Sequence, residues 1–135
     1  MVDAFQLSIS VEPGDIDELG HVNNVVYLKW VQDIAVAHWY AAATPEEQAG
    51  LFWVVTRHEI DYLRPAFPED EIVARTWVGN ATRRRFDRHT EVLRASDERV
   101  LARVWTVWCP MDPATGRPAQ VGNEVRARWS KQGTC

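Results

Sequence analysis

The chain has 135 residues, a length that fits one domain with a hydrophobic core of its own. Its 15 lysines and arginines against 19 aspartates and glutamates give a formal net charge of −4. A broad basic face, which a nucleic-acid-binding protein needs to neutralise phosphates, is therefore not expected.

The cysteines and the start of the chain indicate the compartment. Cys109 and Cys135 form neither a disulfide framework nor a metal-binding pattern, so we expect two reduced thiols and no bound metal. No apolar run reaches the roughly 18 residues that a membrane span needs, and residues 1–5 begin no signal peptide. These features predict a cytoplasmic protein without a membrane partner.

The first two elements differ in their apolar spacing. Residues 5–11 alternate apolar and polar side chains, which predicts a half-buried strand that ends at a Pro-Gly pair. Residues 24–43 show helical spacing and are apolar on most of the circumference, which predicts a buried helix about 30 Å long. Asn23 or Asn24 is a suitable N-cap. The more polar stripe of this helix consists of Lys29, Gln32, Asp33, Val36 and Tyr40.

Strands dominate the rest of the chain. After a short helix at residues 44–50, four strands are predicted at residues 52–63, 71–79, 86–94 and 100–109, and the segment after Pro118 suits a short strand or a helix. Short turns predict antiparallel pairing, and the single buried helix must lie on that sheet. We predict one α+β domain over residues 1–135, in which an antiparallel sheet of about five or six strands wraps a long central helix.

Seven tryptophans are an unusual number for this length. They stand at positions 30, 39, 53, 77, 105, 108 and 129. Because tryptophan usually lies largely buried in cores and interfaces, several of them are expected in the core, at a subunit interface or along an apolar ligand channel.

The polar segment from Asp15 to Asn24, D-I-D-E-L-G-H-V-N-N, carries the groups best suited to chemistry. It precedes a buried helix, whose N-terminus offers unpaired N–H groups and partial positive charge. Such N–H groups can stabilise an oxyanion, and a carboxylate near an imidazole can activate water. Asp- and Asn-rich segments before helices also serve as caps and turns, so the residues alone leave both interpretations open.

The same segment resembles a family signature. The run D-I-D-E-L-G-H-V-N-N-V-V-Y-L-K-W looks like that of hot-dog-fold thioesterases of the 4-hydroxybenzoyl-CoA and acyl-CoA type. Its G-H-V-N-N-x-x-Y core is similar to that of plant acyl-ACP thioesterases. H-E-I-D-Y-L-R-P-A followed by Asp70 resembles the family's second strand and its Y-x-x-P…D turn, and T-G-R-P at residues 115–118 resembles its C-terminal turn.

The resemblance implies a hot-dog fold and hydrolysis of an acyl-CoA or acyl-ACP thioester to a free acid and a thiol. It also implies a homodimer or homotetramer with sites between subunits, and no cofactor, because coenzyme A is part of the substrate. Asp17 matches the catalytic carboxylate of the hydroxybenzoyl-CoA type, and His21 matches the catalytic histidine of the plant type. Leu19 stands where the plant type has Asn, so Asp17 is expected to carry more of the catalysis.

The expected mechanism places the thioester carbonyl against backbone N–H groups around Gly20 to Val22. Asp17 acts as general base or nucleophile, and His21 polarises the carbonyl or orients the water. The expected catalytic residues are Asp17, Gly20 and His21. The expected substrate-binding residues are Val22, Asn23, Asn24, Tyr27, Glu59, Arg64, Arg83, Arg84 and Arg85, the arginines because their guanidinium groups suit the phosphates of coenzyme A.

Structural roles stay open for several of these residues. Asn23 and Asn24 suit helix capping, Tyr27 suits the core, Glu59 suits an exposed strand position, and the three-arginine turn suits a solvated hairpin. Two other functions also stay open. A non-catalytic acyl-CoA-binding hot dog needs no Asp17, and a hot-dog hydratase or dehydratase acts on the β-carbon instead of the thioester.

Overall fold

The computed structural model describes residues 4–131; residues 1–3 and 132–135, including Cys135 with its predicted thiol, lie outside the described residues. The elements are β1 (Phe5–Ser10), a 3-10 turn (Pro13–Asp15), α1 (Asn24–Ala42), α2 (Pro45–Gly50), β2 (Phe52–Tyr62), β3 (Glu71–Ala81), β4 (Phe86–Arg94), β5 (Val100–Asp112), β6 (Arg117–Pro118) and α3 (Asn123–Lys131). All predicted strands and helices are present. The segment after Pro118, which the sequence left undecided, forms the helix α3.

The strands form one sheet in the order β1-β3-β4-β5-β2, with β6 added to β5. Every pairing is antiparallel. The long helix α1 packs against β1, β3 and β4, and α3 packs against β3. The predicted α+β architecture, a long helix against an antiparallel sheet of five or six strands, is therefore confirmed. Strands β1 and β2 form the two edges of the sheet, and Cys109 on β5 is a free thiol.

Helix α1 begins at the cap that the sequence predicts. The side-chain oxygen of Asn23 accepts a hydrogen bond from the Val25 amide at 3.3 Å, and the helix runs to Ala42. The buried positions Tyr27, Trp30, Val31, Ile34, Ala35 and His38 face inward, and the predicted polar stripe is exposed. Within residues 4–131, no helix is long and apolar enough to cross a membrane.

The space between α1 and the sheet holds two hydrophobic clusters. One lies around the first half of α1 and includes Tyr27, Trp30, Ala66 and Leu101. The other lies around Phe86 and Trp129, with Trp39 and Trp53 packed against it. This division places the polar segment before α1 beside the first cluster and three of the seven tryptophans in or against the second.

Candidate functional site

The loop between β1 and α1 is a closed turn that fixes the position of Asp17. Ile16 and Val22 form an isolated antiparallel bridge across it. Inside the bridge, the Asp17 amide donates to the His21 carbonyl at 2.8 Å, and the Gly20 amide donates to the Asp17 carbonyl at 3.1 Å. Gly20 has a φ of 80°, a conformation that glycine adopts without the steric cost of a Cβ atom.

The Asp17 carboxylate uses its two oxygens differently. Oδ1 accepts hydrogen bonds from the amides of Leu19 at 2.9 Å and His21 at 3.2 Å. Oδ2 makes no hydrogen bond to any residue between positions 4 and 131. The side chain is therefore held by one oxygen while the other remains available to a reactant.

A cleft of about 420 Å³ lies over this loop and the start of α1. Its lining residues are Asp17, Leu19, His21, Val22, Asn23, Asn24, Tyr27, Tyr62, Leu63, Arg64 and Pro65. The structure thus brings seven predicted site residues together, with Gly20 in the supporting turn. The sequence interpretation did not single out Leu19, Tyr62, Leu63 or Pro65 as site residues. The sequence could have indicated Tyr62 and Pro65 as site residues, since both belong to the Y-x-x-P motif.

Two tyrosines line the cleft. Tyr27 is 2% exposed, and its hydroxyl accepts a hydrogen bond from the Ala66 amide at 3.0 Å. Burial is the largest influence on this phenol and raises its pKa. The Ala66 carbonyl accepts in turn from Val22, and the Tyr62 hydroxyl donates to the Asn24 carbonyl at 3.2 Å. These bonds join the segment after β2 to the start of α1, so Tyr27 supports the cleft from within the core.

The backbone amides around Gly20 to Val22, which were expected to face the thioester carbonyl, are not available to it. The amides of Gly20, His21 and Val22 all donate to acceptors of the chain itself. The Asn24 amide, the first of α1, donates to no acceptor in the part of the chain that the structure describes. The candidate oxyanion donor is therefore the amide of Asn24, where the partial positive charge of the helix is greatest.

Glu59 lies outside this cleft. It is exposed on β2 and pairs with Arg57 at 2.7 Å. It lines a groove on the other face of the sheet, beside Trp77 and Trp105. The neighbouring His58 faces inward, where its Nδ1 lies 2.9 Å from the buried Thr106 hydroxyl.

The three-arginine turn also lies elsewhere. Arg83, Arg84 and Arg85 are exposed in the turn between β3 and β4, whereas the cleft adjoins the loop that precedes β3. Strand β3 has eleven residues, so about 30 Å of strand separates this turn from the cleft within one chain. Arg64, whose Nη1 donates to the Val100 carbonyl at 2.9 Å, is the arginine that lines the cleft.

The cleft combines a carboxylate, an imidazole, a helix N-terminal amide and an arginine. The His21 ring is half-buried and packs edge-on against Phe67 with a centroid distance of 5.1 Å. Within residues 4–131, no group of three or more His, Cys, Asp or Glu side chains is arranged to hold a metal ion. These groups suit attack on a carbonyl carbon by water or by a carboxylate, with a donor for the resulting oxyanion.

Several solved structures with a similar fold are thioesterases. A thioesterase complexed with coenzyme A and Zn from Thermus thermophilus is 25% identical, with a TM-score of 0.83 over 100% of this chain and 99% of that one. A 1,4-dihydroxy-2-naphthoyl-CoA thioesterase from Synechocystis is 16% identical, with a TM-score of 0.80 over 98% and 99%. The 12:0-ACP thioesterase from Umbellularia californica is 17% identical, with a TM-score of 0.80 over 98% of this chain and 51% of that one.

The two structures below 25% identity show the fold alone, and they confirm the hot-dog architecture that the resemblance implied. A comparison with curated proteins gave no match. The family model described as the thioesterase-like superfamily matches residues 11–129, which include the Asp17 loop, the helices α1 and α2 and the whole sheet after β1. The chain therefore belongs to the thioesterase-like superfamily.

Proposed function

We propose that the protein hydrolyses an acyl-CoA thioester, or the corresponding acyl-ACP, to a free acid and a thiol. The observation that carries this proposal is the Asp17 carboxylate, held through Oδ1 and open at Oδ2 in a cleft at the N-terminus of a long helix. Family membership supports the thioesterase chemistry, and the coenzyme A complex of the Thermus relative supports the carrier.

Asp17 acts as general base or as nucleophile. As a base, Oδ2 takes a proton from water while the water oxygen bonds to the thioester carbon. The Asn24 amide donates to the carbonyl oxygen as it becomes negative. Collapse of this intermediate breaks the C–S bond, and the thiolate leaves and is protonated. As a nucleophile, Asp17 displaces the thiolate itself, and water then hydrolyses the mixed anhydride.

His21 orients the attacking water or polarises the carbonyl in this proposal. Its backbone is fixed by its hydrogen bonds with Asp17, and its ring packs against Phe67. Because the side chain lines the same cleft as Asp17, both reach one substrate.

The test is release of free thiol from short, long and aromatic acyl-CoAs and from acyl-ACP. We expect one acyl class to be cleaved well above the uncatalysed rate. Failure to cleave any thioester, together with a rise in melting temperature on adding a CoA ester, would instead support a non-catalytic binding protein. Hydration of an enoyl-CoA without thiol release would support a lyase.

Arg64 is proposed to contact a phosphate of the coenzyme A portion. We expect Arg64→Ala to raise KM for an acyl-CoA about fivefold, or ~1 kcal/mol, since the contact is exposed and one charge is lost. kcat should change little, and raising the salt concentration should narrow the difference between variant and wild type. Steady-state kinetics at two ionic strengths provide the measurement.

Arg103→Ala is the matched control for Arg64→Ala. Arg103 is also exposed, but it lies on the central strand β5 and pairs with Glu91 on the opposite face of the sheet. Its removal should leave KM unchanged, and an equal rise in both variants would indicate a general charge effect. Arg83, Arg84 and Arg85 can contact the same ligand only if a second copy of the chain brings their turn to the cleft.

We propose that the protein forms a homodimer or homotetramer through β2. The first residues of this edge strand expose Phe52 at 41% and Val54 at 37%, and an exposed apolar edge segment favours pairing with another strand. Val54→Lys is expected to reduce the mass measured by light scattering to that of a smaller species. Thr115→Lys, in the exposed turn before β6, should leave the mass unchanged. A wild-type monomer would contradict the assembly.

A further inference from the structure

A second cavity of about 250 Å³ lies at the other end of α1, and it shares no lining residue with the Asp17 cleft. It is bounded by the second half of α1, the start of β2, β4, β5 and α3. Four of the seven tryptophans, Trp39, Trp53, Trp108 and Trp129, line it together with Phe86 and Arg88. Its walls are therefore largely aromatic, with one cation among them.

Arg88 has no counter-ion among residues 4–131. Its side chain is buried, and its Nη1 lies 2.9 Å from His38 Nδ1 and 3.2 Å from the Thr76 hydroxyl. Since a guanidinium only donates, His38 Nδ1 is the acceptor, and neither partner supplies negative charge. No carboxylate among residues 4–131 forms a salt bridge with Arg88.

The charge of Arg88 persists at neutral pH. Burial lowers the pKa of this guanidinium to about 10, which still leaves it protonated near pH 7. A buried charge without an opposite charge destabilises a folded protein, so an anion bound beside Arg88 would be stabilising.

The aromatic walls and the buried guanidinium together define what this cavity suits. A ligand with a carboxylate and a hydrophobic body would pair with Arg88 and contact the aromatic walls.

We propose that this cavity binds a small carboxylic acid with an aromatic or aliphatic body, with its carboxylate paired to Arg88. Arginine is suited to this role because its fork of N–H groups matches the two carboxylate oxygens. The size also fits, since an apolar cavity of about 150 Å³ already admits benzene. The proposal does not depend on the thioesterase mechanism, because binding requires neither Asp17 nor turnover.

The test compares acids with their uncharged amides. Calorimetry would measure the binding of benzoate, 3-phenylpropanoate and octanoate, and of the three primary amides, to wild type, Arg88→Met and Arg103→Met. We expect wild type to bind at least one acid tenfold or more tightly than its amide, and Arg88→Met to lose that preference. Arg103→Met should keep it, because Arg103 is exposed and pairs with Glu91 on the other face of the sheet.

Two further variants separate binding from folding and from the cleft. Arg88→Lys keeps the positive charge but loses the fork of N–H groups, so it should retain part of the preference for the acid even if Arg88→Met fails to fold. Arg64→Ala should bind the acid as wild type does. Equal affinity for acid and amide, binding of neither, or loss of the preference in Arg64→Ala instead of Arg88→Met would overturn the proposal.

Discussion

Replacing Asp17 with asparagine is expected to lower kcat for thioester hydrolysis by about 10²- to 10⁴-fold without unfolding the protein. An asparagine oxygen can still accept the hydrogen bonds that Oδ1 receives from the Leu19 and His21 amides, so the loop keeps its shape. The variant loses only the negative charge and the basic or nucleophilic oxygen at Oδ2. Thiol release measures the activity, and circular dichroism with a thermal melt checks the fold.

Asp15→Asn is the matched control for this experiment. Asp15 lies in the same loop, and its Oδ2 accepts a hydrogen bond from the Glu12 amide at 2.9 Å, but it does not line the cleft. The same chemical change at this position should leave kcat within about twofold of wild type. If Asp17→Asn kept more than a tenth of wild-type activity, the catalytic assignment of Asp17 would be wrong.

The elements of the fold could be predicted because their signals are local. Period-two alternation in β1, helical spacing in α1 and the Asn23 cap each involve residues that are close in sequence. The short turns that join β3, β4 and β5 predict antiparallel pairing of these neighbours. The cleft could be predicted in part for the same reason: Asp17 to Tyr27 form one continuous segment, so connectivity alone keeps them together.

Residues whose position depends on strand register could not be placed in this way. A bulge between Val55 and Arg57 shifts the pairing of β2 with β5, so counting along the strand from Phe52 does not give the face that Glu59 occupies. The separation of Arg83 to Arg85 from the cleft follows from the length and direction of β3. The amides of Gly20 to Val22 were expected to be free, but Asp17 and Ala66 accept their hydrogen bonds.

The neighbours of Arg88 in the sequence do not indicate that it lines a cavity. Beside Arg83 to Arg85 it resembles a member of a surface basic cluster. The alternation of β4, however, places it on the same face as Phe86 and Thr90, which are both buried. The alternation in β4 thus predicts from the sequence that Arg88 is buried. The cavity could not be predicted, because the elements that form it are distant along the chain.

Arg94 connects the loop after β2 to the end of β4 and so supports the cleft from one side. Its Nε donates to Asp70 at 3.2 Å, its Nη2 to the Pro65 carbonyl at 3.1 Å, and its Nη1 to Asp97 at 3.0 Å. Asp70 also accepts from the Phe67 amide at 2.9 Å. The side chains of Arg94 and Asp70 are 17% and 12% exposed, so their pair is only weakly screened by solvent.

Arg94→Met is expected to lower the free energy of unfolding by about 2 kcal/mol, or Tm by about 6–10 °C, because it leaves the Asp70 carboxylate and the Pro65 carbonyl without this partner. KM should rise several-fold as Pro65 and Arg64 become less well placed, whereas kcat should fall less, since separate hydrogen bonds hold Asp17. Arg99→Met is the control: its contact with Asp97 spans 3.7 Å at 60% exposure, so stability should change by less than about 0.5 kcal/mol. Thermal melts and steady-state kinetics on both variants measure these changes. Equal changes in Tm and KM in the two variants would show that Arg94 does not hold the cleft in place.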